Sequence, residues 1–153
     1  MNRITPFLWF DNNAEDAANF YLEMFPGSKK LGELRASGGV GPWPEGQIAT
    51  ITLELEGQPV TFLNGGPAHK LSEAFSFSIA CATQQEIDFY WERILASGGT
   101  PIACGWIKDH FGLCWQVVPE NITALLAHPK AMSAMMEMIK LEKAVLEQAA
   151  REQ

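Results

Sequence analysis

The sequence predicts an α+β fold built from two βαβββ modules and a set of C-terminal helices. Short apolar strands alternate with single amphipathic helices, and the same order of elements occurs twice along the chain. The 153 residues, 47% of them hydrophobic, suffice for one well-buried core but are few for two ordinary domains. One domain over 1–153 is therefore expected, with a first module at about 3–64, a second at about 74–118, and a helical tail at 121–153.

In the first module, Ile4 to Phe10 is almost wholly apolar or aromatic and reads as a strand. Asp11-Asn12-Asn13 offers capping side chains to a helix that runs to Phe25. Ala14, Ala17, Ala18, Tyr21, Leu22 and Phe25 give that helix one apolar face, and Pro26-Gly27 stops it. A strand is expected from Ser28 to about Ala36. Ser37 to Gly46 is rich in Gly and Pro around Trp43, so it is a loop or flap. Gln47 to Leu55 and Gln58 to Leu63 flank Glu56-Gly57, which signals a hairpin.

The pattern restarts after Asn64-Gly65-Gly66-Pro67. Phe75 to Ile79 alternates with period two, Thr83 is placed to cap, and Gln84 to Ala96 is helical until Ser97-Gly98-Gly99. A shift of 69 residues lays Phe20-Tyr21-Leu22-Glu23 onto Phe89-Tyr90-Trp91-Glu92, an internal repeat. Short strands fit Thr100 to Cys104, Trp106 to Lys108 and Leu113 to Val118, with Asp109-His110-Phe111-Gly112 as the turn before the last. From Asn121 onwards Pro129 separates a short helix from a longer one reaching the end. There Met132, Met135, Met136, Ile139, Val145 and Leu146 form a stripe for packing on the sheet or on a second subunit.

Eleven basic against eighteen acidic residues give a net charge of −7, which opposes binding to nucleic acid through its phosphates and leaves small molecules or proteins as partners. No apolar run reaches the roughly 20 residues of a membrane span, and Met1-Asn2-Arg3-Ile4 does not open a secretory signal, so a cytoplasmic protein is expected. Cys81, Cys104 and Cys114 are odd in number and contain no CxxC pair, which argues for free thiols. His69, His110 and His128 fit no metal-ligand spacing.

Strand phase then predicts which side chains face a ligand. Phe75, Phe77 and Ile79 should lie under the second helix, leaving Ser76 and Ser78 on the opposite face. Carried across the repeat, the phase puts Pro6, Leu8 and Phe10 under the first helix and Thr5, Phe7 and Trp9 opposite. In the last strand Leu113, Trp115 and Val117 share one phase and Cys114, Gln116 and Val118 the other. With Trp115 in the core, Gln116 points away from the helix, either orienting a ligand or bonding neighbouring backbone. The expected lining is thus Thr5, Phe7, Trp9, Ser76, Ser78, Cys114 and Gln116, with Trp43 on the flap, around a small, partly apolar ligand. Glu73, Asp109 and His110 should face solvent, so no catalytic residue is assigned.

Cys104-Gly105-Trp106-Ile107-Lys108-Asp109, then Phe111-Gly112, then Trp115-Gln116-Val117-Val118-Pro119, closely resembles the signature of the PhnB-like branch of the vicinal oxygen chelate superfamily, the glyoxalase/bleomycin resistance/dioxygenase group. Asn64-Gly65-Gly66-Pro67, Glu73-Ala74-Phe75-Ser76-Phe77 and the Met-Lys-rich tail resemble it too. The resemblance implies a curved mixed sheet around a cleft between the modules, and a homodimer. Members of this branch are often labelled 3-demethylubiquinone-9 3-methyltransferase. Gly38-Gly39-Val40-Gly41 lies between strands and opens no helix, so the sequence gives methyl transfer no support.

The superfamily's usual divalent ion is held by four side chains. The resemblance places those positions at Thr5, Ala74, Gln116 and a residue within Val60 to Asn64, a set without carboxylate or imidazole. No metal and no other cofactor is expected. The expected function is that of a superfamily protein acting on or binding a small molecule without the usual metal. The alternative is a sequestering protein for a drug, favoured by the negative charge if that drug is cationic.

Overall fold

The computed structural model describes residues 3–152, which divide into two compact units on either side of Leu71 and Ser72. In the first, the chain runs through β1 (Phe7–Phe10), α1 (Ala14–Met24), β2 (Lys29–Arg35), β3 (Ile48–Leu55) and β4 (Gln58–Asn64). The sheet has the order β1-β4-β3-β2, with β1 parallel to β4 and the other pairs antiparallel. Leu8, Phe10, Ile51, Leu53, Val60 and Phe62 alternate along their strands into a core completed by Ala14, Ala17, Ala18, Tyr21 and Met24 of α1. The β3–β4 hairpin turns on Glu56 and Gly57, at φ of 46° and 93°. Left-handed backbone at both central positions is what a twisted two-residue hairpin requires.

Asn13 occupies the N-cap of α1 but makes no side-chain cap bond, contrary to the capping role expected of Asp11-Asn12-Asn13. The cap comes from Asn64 at the end of β4. Its Oδ1 accepts from the Ala14 N–H at 2.9 Å while its Nδ2 donates to the Ile48 carbonyl at 2.9 Å. Because β4 runs parallel to β1, with Asn64 opposite Phe10, its end arrives beside the turn into α1.

The second unit repeats the order in β5 (Ser76–Cys81), α2 (Gln84–Ala96), β6 (Thr100–Pro101), β7 (Trp106–Lys108) and β8 (Cys114–Pro119), with sheet order β5-β8-β7-β6 and β5 parallel to β8. Ile79, Ile87, Trp91, Ile94, Ile107, Trp115 and Val117 are buried. Here the helix caps itself, as the sequence predicts. Thr83 accepts from the Glu86 N–H at 3.2 Å, and Glu86 reaches back to the Ala82 N–H at 3.0 Å.

Three expectations need correction. Phe75 precedes β5 and is 41% exposed instead of lying under α2. The strand expected over Thr100 to Cys104 ends at Pro101, because Cys104 and Gly105 take positive φ and donate their N–H groups to the Met138 and Ile139 carbonyls at 2.8 Å. That pairing also breaks the long final helix. The tail forms α3 (Ile122–Leu126), α4 (Pro129–Met136) and α5 (Lys143–Arg151), with residues 137–142 lying along the Cys104-Gly105 turn. Gly105 has a φ of 85°, and a Cβ there would come within 2.9 Å of Leu141 Cδ1 and 3.2 Å of the Val117 carbonyl, which favours glycine at this turn. Val118, Leu125, Leu141 and Leu146 form a small core between sheet and tail, with Met135 and Met138 against it. The methionine stripe is thereby divided: Met132, Met136, Ile139 and Val145 remain exposed. No helix among the described residues is long and apolar enough to cross a membrane.

Candidate functional site

The face of the second sheet away from α2 collects the polar side chains picked out by strand phase. Ser76 lies opposite Cys114 and Ser78 opposite Gln116 in the parallel β5–β8 pair, so all four share one face. Gln116 Nε2 donates to Ser76 Oγ at 3.0 Å. That bond orients the amide and leaves its oxygen with no partner among the described residues, while the Ser76 hydroxyl keeps its proton to donate elsewhere. Ser78 is exposed.

The antiparallel β7–β8 pairing adds two residues that sequence reasoning passed over. Trp106 lies opposite Gln116, and Lys108 opposite Cys114. Their period-two phase within Trp106-Ile107-Lys108 was the available signal, since Ile107 is the buried member. Lys108 forms a close ion pair with Glu73, and their shared hydrogen bond holds the Glu73 carboxyl below, and the Lys108 ammonium above, its ordinary range. Cys114 is fully buried, and burial pushes its thiol up, with Glu73 adding to the effect. Cys81 is pushed up to about 12, mainly by burial and further by Glu86. Neither is a ready thiolate nucleophile at neutral pH. Val118, at the far end of this phase, is covered by the tail core.

Asp109 was expected in solvent and is instead buried. Its Oδ1 accepts from the Phe111 and Leu113 N–H groups at 2.9 and 3.0 Å, and its Oδ2 accepts from Trp115 Nε1 at 2.9 Å. A carboxylate opening a tight turn can curl back onto the following N–H groups, and the indole of β8 completes the set. Glu73 and His110 are exposed as expected, with His110 Nδ1 3.1 Å from Ser97 Oγ.

In the first unit the corresponding face carries aromatic side chains. Phe7 is 62% exposed on the edge strand. Trp9 is half-buried, donates from Nε1 to the Gly66 carbonyl at 2.8 Å and meets the His69 ring edge-on at 4.9 Å. Thr52 and Thr61 bond to each other at 2.9 Å. Thr5 precedes β1 and is half-buried. Trp43 does not hang free on its loop: its Nε1 donates to the Asn64 carbonyl at 2.6 Å. It lines a cavity of about 180 Å³ with Asp11, Asn12, Pro42, Gln47, Asn64, Gly65 and Gly66.

Register shows which residue within 60–64 corresponds to Gln116 across the repeat. Trp9 pairs with Leu63 and Ser78 with Gln116, so Leu63 is the counterpart of Gln116 across the repeat. Thr5, Leu63, Ala74 and Gln116 together offer one hydroxyl and one amide, a donor set that does not fit a divalent ion. Among the described residues no three His, Cys, Asp or Glu side chains come together in a metal-binding group.

A family model described as 3-demethylubiquinone-9 3-methyltransferase matches residues 2–118. Among solved structures, a putative 3-demethylubiquinone-9 3-methyltransferase, PhnB protein, from Bacillus cereus aligns at a TM-score of 0.68 and 29% identity, covering 77% of this chain and 99% of that one. Protein PA1353 from Pseudomonas aeruginosa aligns at 0.62 and 21% identity, covering 78% and 98%. The fosfomycin resistance protein FosX from Listeria monocytogenes aligns at 0.58 and 12% identity, covering 82% and 96%, a likeness of fold alone. No protein of curated function matches the chain. With most of its length matched by the family model, and with both βαβββ units in place, the chain belongs to the PhnB-like 3-demethylubiquinone-9 3-methyltransferase family and has the glyoxalase/bleomycin resistance fold.

Proposed function

We propose that this protein binds a small, partly apolar molecule carrying an oxygen or amide group on the α2-free face of its second sheet, without a metal held by the protein. The observation that carries this reading is the Gln116–Ser76 bond. It holds an amide in one orientation and leaves one acceptor and one donor side by side. Ser78 and Trp106 share the face and extend it with a hydroxyl and an aromatic surface.

The chemistry of the surrounding groups favours binding over acid–base catalysis. Asp109 is committed to three donors, Glu73 is paired with Lys108, and the Cys114 thiol is buried. The Glu73–Lys108 pair is neutral as a unit, which suits an uncharged ligand better than a cation at this face. Methyl transfer, named in the family description, gains nothing from the strand-to-helix connections. Asp11-Asn12-Asn13 and Ala82-Thr83 contain no glycine to admit a nucleotide-like cofactor. Phe7, Trp9 and Trp43 lie in the first unit, and Cys114, on the proposed face itself, is fully buried.

Native mass spectrometry of the protein purified from its own cells tests the reading. The wild type should retain an organic mass of a few hundred daltons, and Gln116→Leu and Ser76→Ala should each lose it while remaining folded. Retention of the same mass by both variants would overturn the proposal. The exposed Met132, Met136, Ile139 and Val145 also support a homodimer through the tail. Sedimentation at micromolar concentration should return twice the chain mass, and Met136→Lys should halve it.

A further inference from the structure

The cavity beside Trp43 is lined wholly by residues of the first unit and shares none with the face proposed above. Its walls are fixed. Trp9 donates to the Gly66 carbonyl and lies so close to Gly65 that a Cβ there would sit 2.4 Å from the indole. The Trp43 ring is anchored at Nε1 to the Asn64 carbonyl and lies against Gly41, where a Cβ would come within 2.6 Å of Cζ3. Asn64 itself has both ends of its amide engaged by Ala14 and Ile48. The loop that carries Trp43 is tied down by the Gly46 N–H on the Ala36 carbonyl, at 2.9 Å, and by Arg35 Nη1 on the Gly46 carbonyl, also at 2.9 Å.

Against these fixed walls stand three polar side chains with no partner among the described residues: Asp11, Asn12 and Gln47. Asp11 is the one charged residue in the lining, and the lining contains no lysine or arginine. Arg35, the nearby cation of the loop stem, is engaged with Glu33 and the Gly46 carbonyl. The cavity therefore combines an uncompensated carboxylate, two amides that can accept hydrogen bonds, and an indole ring held in place. A carboxylate beside an aromatic ring is complementary to an organic cation, which gains a charge-assisted bond from one and a cation–π contact from the other. The volume of about 180 Å³ suits a small alkyl ammonium group and is too small for a drug-sized ligand.

We infer that this cavity is a binding site for a small primary ammonium group, with Asp11 as its counter-ion, Trp43 as its aromatic wall, and Asn12 and Gln47 as acceptors for the remaining N–H bonds. The rigid anchoring of Trp43 keeps the ordering cost low, so affinity rests on the charge pair.

A titration followed by the Trp43 indole N–H in nitrogen-15 NMR tests this, with the resonance identified by its loss in Trp43→Phe. The probe is n-butylammonium, and n-butyrate and n-butanol are its anionic and neutral counterparts. The Trp43 resonance should move saturably with n-butylammonium and with neither of the others. Asp11→Asn should weaken that binding about fivefold or more, as loss of a charge-assisted bond requires. Its exposed side chain makes no contact the fold depends on, so its other amide resonances should stay in place. Absence of a saturable shift up to about 100 mM n-butylammonium, an equal shift with butanol, or unchanged affinity in Asp11→Asn would overturn the inference.

Discussion

The two βαβββ units share one topology and solve the same local problems with different residues. In the first, the N-terminus of α1 depends on Asn64, which is 50 residues away from Ala14 along the chain. In the second, α2 is capped by its own Thr83–Glu86 pair, and the position matching Asn64 is the buried Val117. The neighbouring position reverses the allocation: Leu63 in the first unit corresponds to Gln116 in the second. One repeat uses its terminal-strand amide to cap the helix, and the other carries its amide one position earlier and bonds it to Ser76. The hairpins before those strands differ likewise, a two-residue turn at Glu56-Gly57 against a longer one held by buried Asp109.

The sharpest way to break this contrast is Asp109→Ala, which leaves two backbone N–H groups and the Trp115 indole without their acceptor. It should lower the unfolding free energy by about 3 kcal/mol in urea titration. Glu56→Ala in the equivalent hairpin should change it far less. Next, Asn64→Ala strips partners from both Ala14 and Ile48 and should cost about 2 kcal/mol. Thr83→Ala, removing a cap that solvent can partly replace, should cost about 1 kcal/mol. An Asn64 variant no less stable than the Thr83 variant would dissolve the distinction between a distant and a local cap.

The smallest effect concerns the Glu73–Lys108 pair, which has no counterpart in the first unit's described ion pairs. Glu73 titrates below its unfolded value, so its contribution is complete above the ordinary carboxylate range and disappears as pH falls through the folded value. Lys108 titrates above its unfolded value, so its contribution is complete below the ordinary ammonium range and is lost as pH rises through the folded value. Urea midpoints of wild type and Lys108→Met should therefore differ slightly near neutrality and converge at both extremes, because the pair is largely exposed.

The strand phase behind the proposed face was legible in the sequence. Period-two phase correctly separated Phe77 and Ile79 from Ser76 and Ser78, and Trp115 from Gln116, because a half-buried strand permits only one face to be apolar. A turn carboxylate such as Asp109 looks the same in sequence whether it caps its own loop or faces water. The indole that completes its burial comes from the next strand. Trp43 was recognised as a loop residue, yet its anchoring to Asn64 and the cavity it walls could not be read from a Gly- and Pro-rich segment.

By itself the sequence determined the repeated order of elements, the apolar face of each helix, the Thr83 cap and the Glu56-Gly57 hairpin. All of these rest on residues within a few positions of one another, where backbone geometry sets who meets whom. Only the tertiary structure decided that Asn64 starts α1, and that the Cys104-Gly105 turn breaks the last helix through the Met138 and Ile139 carbonyls. Each of these joins groups far apart in the chain. Their pairing depends on which buried donor is left without an acceptor once the sheets have formed, a condition that no local pattern encodes.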